Sequence, residues 1–174
     1  MTDSDLARAA RTGDPSAFTE LVRRHYDECR RYAERMLGRR EDAEDVLQES
    51  FLRAHRGLSG YREQEQFRAW LFRIVVNRCR TFAGRRRTRE RLIDPGPPPD
   101  GADAGDAVAS FALRDALQHA LDRLDPRERE AVLLHDGVGL DYEAMATLTG
   151  AGVSALKMRV ARGRAALRPL LEDA

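Results

Sequence analysis

Twenty-nine arginines and a single lysine, Lys157, carry the positive charge of this chain, and their spacing sets the chemistry open to it. Arg78, Arg80, Arg85, Arg86 and Arg87 crowd the end of one segment, FRAWLFRIVVNRCRTFAGRRRTRER at 67–91, which opens as an apolar run around the one tryptophan, Trp70. A second cluster, Lys157, Arg159, Arg162, Arg164 and Arg168, lies in a stretch from Val153 to Arg168 that holds no acid. Guanidinium groups at this density suit phosphate oxygens. Covalent chemistry has no comparable seat. His25, His55, His119 and His135, with Cys29 and Cys79, show no metal-ligand spacing, and no phosphate-binding glycine loop or nucleophile motif appears. Both cysteines fall on apolar helical faces and read as buried free thiols. We therefore expect no catalytic residue, no metal and no cofactor.

The net charge of +1 conceals a strong segregation. Residues 1–91 carry 21 basic against 15 acidic groups, residues 92–112 carry four aspartates and no base, and residues 113–174 carry 9 basic against 10 acidic. Two basic patches divided by an acidic strip suggest two contacts with a polyanion. At 174 residues the chain suits one ordinary domain or two small ones. No apolar run approaches the ~20 residues of a membrane span, so no membrane insertion is expected. The opening MTDSDLARAARTGD is acidic and polar, unlike a secretory signal, and points to the cytoplasm.

The elements that hold these clusters read as helices throughout. DPGPPPDGADAGDAVAS, 94–110, has four prolines and nothing to bury, and reads as a flexible acidic tether between 1–93 and 111–174. The first long helix starts at Asp14-Pro15, with Leu21, Val22, Tyr26, Cys29, Tyr32 and Met36 in helical period to Gly38. A second runs from about Glu41 to Gly57, with Ala43, Val46, Leu47, Phe51, Ala54 and Leu58 inward. A third starts near Phe67, with Phe67, Trp70, Leu71, Ile74, Val75 and Phe82 on one stripe, which assigns Trp70 to the core. Beyond the tether, Leu113, Leu117, Leu121 and Leu124 mark a short helix, and Asp125-Pro126 starts another that ends at Asp136-Gly137. Asp141 caps a further helix that stops at Gly150, and Gly150-Ala151-Gly152 leads into a basic one. Two helices joined by such a turn form a helix-turn-helix.

Two faces stand out. On the basic helix, Val153, Leu156, Val160, Gly163 and Leu167 converge on one side, while Ser154, Ala155, Met158, Ala161, Arg162 and Ala165 face away, flanked by Lys157, Arg159, Arg164 and Arg168. Small residues would let this face enter a groove, with cations on phosphates and Arg162 on a base edge. The bland alternative is a solvated amphipathic helix. On the helix that starts at Glu41, the residues Asp45, Gln48, Glu49, Leu52 and Arg56 share a second face, either plain solvent exposure or, given Leu52, a partner surface.

Three segments in order, DAEDVLQESFLRAHRGL, FRAWLFRIVVNRCRTFAGRRR and LDPREREAVLLHDGVGLDYEAMATLTGAGVSALKMRVARGRAALRPLL, resemble bacterial RNA polymerase sigma factors of the small extracytoplasmic-function type. The resemblance covers roughly 14–91 and 111–171. It implies an all-α protein with a region 2 bundle at 1–93 and a region 4 helix-turn-helix at 111–174. It implies core RNA polymerase contacts at Asp45, Gln48, Glu49, Leu52 and Arg53. Ser59 to Gln66 would be the loop that captures a base flipped from the non-template strand, with Tyr61, Arg62 and Gln64 as its candidates and Asn77 nearby. Arg68 and Arg73 would face that strand, and Arg78, Arg80, Arg85, Arg86 and Arg87 would neutralise promoter phosphates. In region 4, Ser154, Ala155, Lys157, Met158, Arg159 and Arg162 would face the minus-thirty-five element, with Met158 and Ala161 departing from the usual residue types. The partners implied are core RNA polymerase, promoter DNA and an anti-sigma factor. The rivals are a sigma-like decoy and a stand-alone helix-turn-helix regulator.

Overall fold

The computed structural model describes residues 1–62, 66–92 and 108–172, and among them there are helices and turns but no strand. The helices are α1 (Asp3–Arg11), α2 (Pro15–Leu37), α3 (Arg40–Gly57), α4 (Phe67–Leu92), α5 (Val108–Asp122), α6 (Pro126–Val132), α7 (Tyr142–Thr149) and α8 (Val153–Glu172). They fall into two compact units, Met1–Arg87 and Thr88–Ala174. The expected tether lies outside the described residues except for Val108 to Ser110, which belong to α5. Gln64 also lies outside them.

In the first unit, local chemistry starts and stops the helices. Asp14 accepts from Ser16 and Ala17 backbone N–H groups at 2.9 and 3.4 Å, with Pro15 at the first helical position of α2. α1 lies ahead of the first expected helix. Thr2 and Asp5 cap it reciprocally, and it buries only Leu6 and Ala7. Asp3 ties it to α2, accepting from Arg24 at 3.1 Å and lying 2.7 Å from His25 Nε2. Leu21, Leu47, Leu71 and Phe72 are fully buried, each contributing about 1.5–3 kcal/mol of burial. The inner face of α4 corrects the expected stripe. Phe67, Leu71, Phe72, Val75, Val76 and Cys79 fill the core, whereas Trp70, Ile74 and Phe82 are only half-buried.

In the second unit, Asp125 caps α6 and Asp141 caps α7, the latter accepting from Ala144 N–H at 2.7 Å. α6 runs on into a wide turn, Leu133–Gly137, in which Val138 N–H donates to Leu133 O at 2.9 Å. Gly150 ends α7 at φ +73°, a left-handed conformation that glycine adopts without a steric penalty. Leu156, Val160 and Leu167 of α8 are buried against α6 and α7, with Met145 and Leu134 beneath them. Gly163 lies close against α6: a Cβ there would stand 2.5 Å from Val132 Cγ2.

Candidate nucleic-acid and partner interfaces

The outer face of α3 is set by its inner one. Ala43, Val46, Leu47 and Ala54 are buried, and Ser50 satisfies its buried hydroxyl by donating to Val46 O at 2.6 Å. That turns Asp45, Gln48, Leu52, Arg53 and Arg56 outward, with Glu49 half-buried among them. Leu52 is 50% exposed. Glu49, Leu52, Arg53 and Arg56 line one shallow open depression, apolar at Leu52 and charged at its rim. The expected five residues thus share one accessible face, but Glu49 also has work inside the unit. Its carboxylate accepts from Arg53 at 3.1 Å and from Arg78 of α4. Partial burial would raise the Glu49 carboxyl, yet bonds and charge from Arg53 and Arg78 outweigh it and hold it below the usual range.

Three arginines of α4 are held by acceptors on α2 and α3. Arg68 Nε donates to both carboxylate oxygens of Glu28 on α2, at 3.0 and 3.2 Å, and its guanidinium lies 5.6 Å from the Phe72 ring centroid. Arg78 is 11% exposed against Glu49. Arg86 reaches Leu37 O at 3.4 Å and Asp42 at 3.3 Å. These three were expected to face nucleic acid. Carboxylates on neighbouring helices draw them inward instead, because a partly buried guanidinium needs a partner. Arg73, Asn77, Arg80 and Arg87 recur at i, i+4, i+7 and i+14 on the face opposite Val75 and Cys79, with Asn77 and Arg87 exposed and Arg73 and Arg80 half-buried. Arg85 is exposed at one edge.

Tyr61 also differs from expectation. It is 3% exposed, with its ring edge-on to Phe67 at 5.7 Å and to Trp70 at 5.4 Å. A buried ring offers no stacking surface. Of this trio Trp70 alone is half-buried rather than buried, and a Cβ at Gly57, the end of α3, would stand 3.6 Å from its ring. Arg62 is exposed beside it in the chain.

On α8, Ser154, Ala155, Lys157, Met158, Ala161 and Arg162 are exposed and Arg159 is half-buried; Met158 shows 54% of its surface. The face deduced from periodicity is the face the packing leaves open. Arg164 is the exception: its Nε donates to Asp136 at 2.8 Å, and this bond holds the Asp136 carboxyl below the usual range. Sequence reasoning did not anticipate the stack beside Lys157. The Lys157 ammonium lies 5.6 Å from the Tyr142 ring centroid, and Tyr142 stacks on His135 at 4.5 Å.

Cys29 and Cys79 are both fully buried and free. Burial pushes the Cys29 thiol up to about 12. Among the described residues no group of His, Cys, Asp and Glu is arranged to hold a metal ion. Among them, too, no helix is long and apolar enough to cross a membrane.

Comparison with known proteins places both units. Residues 21–90 match the Sigma-70 region 2 family, and residues 114–167 match the Sigma-70, region 4 family. The ECF RNA polymerase sigma factor SigM of Mycobacterium tuberculosis is 36% identical over 170 residues, spanning 98% of this chain and 85% of that protein. The solved complex of CnrH with the cytosolic domain of CnrY aligns at a TM-score of 0.74 and 30% identity over 98% of this chain and 97% of CnrH. The sigma factor RpoE of Bartonella quintana, solved with the anti-sigma factor NepR, aligns at 0.75 and 27% identity over 89% of this chain and 96% of its own. Two helical units of these families along one chain, with relatives that match nearly its whole length, make this protein a member of the ECF group of RNA polymerase sigma factors.

Proposed function

We propose that the chain docks on core RNA polymerase through α3, directs it to a subset of promoters and helps to open the DNA. Residues 1–93 act as the polymerase- and minus-ten-binding part, 94–110 as the tether and 111–174 as the minus-thirty-five reader. Asp45, Gln48, Glu49, Leu52 and Arg53 form the polymerase contact, with Leu52 as its desolvated centre. The outward stripe Arg73, Asn77, Arg80 and Arg87, with Arg85, follows the DNA backbone. Arg62 and Gln64 read an extruded base by its edge, and Trp70 takes from Tyr61 the role of stacking surface. On α8, Lys157 and Arg159 hold phosphates, Arg162 reaches a base edge, and Ser154, Ala155 and Met158 sit close to the groove floor. No bond chemistry is involved. Trapping unstacked bases offsets the few kcal/mol of unpairing, and the tether raises the effective concentration of each unit at its own element.

One observation carries this reading: a single chain presents both an outward acidic helix with an exposed leucine and an outward basic helix that holds no acid from Val153 to Arg168. A stand-alone regulator has no use for the first, and a decoy has no use for the second. The chain works where polymerase and DNA are, in the cytoplasm. Because CnrH and RpoE were both solved with partner proteins, an anti-sigma factor that covers the α3 or DNA-facing surfaces fits the same scheme. The test is run-off transcription with purified core polymerase. Specific initiation that depends on this chain is expected; duplex binding without initiation would overturn the reading.

A further inference from the structure

The edge of α8 that carries Lys157 and Arg164 is held at two points. The two residues lie seven apart, hence on one line along the helix. Arg164 is bonded to Asp136 in the wide turn that follows α6. Lys157 is set over Tyr142, the first residue of α7. Tyr142 is itself backed by His135 of the same wide turn, with the rings 4.5 Å apart and inclined by 23°. The His135 ring is not free to turn: its Nδ1 lies 2.9 Å from Leu140 O, and since a carbonyl only accepts, Nδ1 carries the hydrogen. One backbone carbonyl therefore orients an imidazole, the imidazole orients a phenol, and the phenol face receives an ammonium.

We propose that Tyr142, backed by His135, is a positioning residue that holds the Lys157 ammonium at the phosphate-facing edge of the DNA-reading helix. The proposal rests on the reading of α8 as that helix. A lysine carries four flexible torsions and about 2 kcal/mol of rotamer entropy, and restraining it before contact lowers the ordering cost of binding. A separation of 5.6 Å from the ring centroid lies within the ~6 Å range of cation–π attraction. The ring attracts the ammonium without neutralising it, so the full charge stays available to phosphate. Asp136 does the opposite for Arg164, since a carboxylate competes with phosphate for the guanidinium.

The experiment uses holoenzyme built from the full chain and core polymerase, with a promoter duplex the holoenzyme selects from a random-sequence pool, titrated over a range of KCl. Lys157→Ala is expected to weaken binding and to reduce the salt slope by about 0.9 for the one lost phosphate contact. Tyr142→Leu should weaken binding roughly two- to fivefold, the equivalent of an exposed cation–π contact. Tyr142→Phe keeps the ring face and should restore affinity to within twofold. Tyr142→Leu placed on Lys157→Ala should cost nothing further. Independent, multiplicative losses in the double variant would mean that Tyr142 merely stabilises the fold and would overturn the proposal. So would parental affinity in Tyr142→Leu while Arg162→Ala binds poorly. If Lys157→Ala and Arg162→Ala both bind like the parent, the reading of α8 fails first and the proposal falls with it.

Discussion

The close approach of Gly163 of α8 to α6 predicts how sensitive the seating of α8 is to its support. A Cβ added at Gly163 would stand 2.5 Å from Val132 Cγ2, 3.4 Å from Glu128 O and 3.6 Å from Glu128 Cβ. Val132 cannot swing aside cheaply, since it is 6% exposed and β-branched, with one strongly preferred rotamer in a helix. Overpacking of this kind costs about 1–3 kcal/mol. Against that, alanine is the better helix former by roughly 1 kcal/mol. The balance for Gly163→Ala is a loss of about 1 kcal/mol, which in a unit of this size lowers Tm by about 4–8 °C. Thermal melting of the full chain by circular dichroism measures it. The Val132→Ala change should recover part of the loss when combined with Gly163→Ala, with a coupling of at least ~0.5 kcal/mol. If Gly163→Ala raises Tm, or if the two changes are strictly additive, the close-approach argument is wrong.

The α3 face contains two kinds of acid that charge reversal should separate. Asp45→Lys is expected to abolish core polymerase binding in a competition assay while Tm stays at the parental value; Glu49→Lys should lower Tm as well, because it leaves the nearly buried Arg78 facing a like charge. A parental Tm in Glu49→Lys would contradict that assignment. The depressed Asp136 carboxyl gives a pH dependence with a definite sign: its stabilisation is complete above the unfolded carboxylate value of about 3.9 and is lost as pH falls through the lower folded value. Melts of Asp136→Asn and the parent should therefore differ at neutral pH and converge on the acid side. Finally, iodoacetamide at pH 8 should leave Cys29 and Cys79 unmodified in the native chain and label both in denaturant, as read by mass spectrometry; native labelling would show that the α2–α4 core opens.

The legible parts of this molecule are those decided by neighbours three and four residues away. α8 could be read face by face because its apolar positions keep one period and no acid interrupts its cations. Both helix-turn-helix caps, Asp141 and Gly150, declare themselves by residue type. α4 was misread where distant partners decide. Arg68 turns inward to Glu28, forty residues earlier, and Arg78 to Glu49, twenty-nine earlier; no local periodicity reports a pairing across helices. The apolar stripe of α4 puts Trp70 in the core, yet the fully buried positions of that helix include Phe72, Val76 and Cys79, and Trp70 is half-buried. α1 escaped notice because two buried residues make no pattern. The His135–Tyr142–Lys157 stack joins three separate elements, so its members looked unremarkable one at a time.

The ion pair between Arg164 and Asp136, and that between Arg86 and Asp42, set two cations beside tethered rivals of any phosphate. A carboxylate fixed within reach competes at a high local concentration whatever the bulk salt. A passing polyanion must displace it with better geometry to gain either guanidinium. Under the proposed function, stray nucleic acid of arbitrary sequence meets a less adhesive protein than the arginine count suggests, and the full grip is kept for a duplex already seated by other contacts.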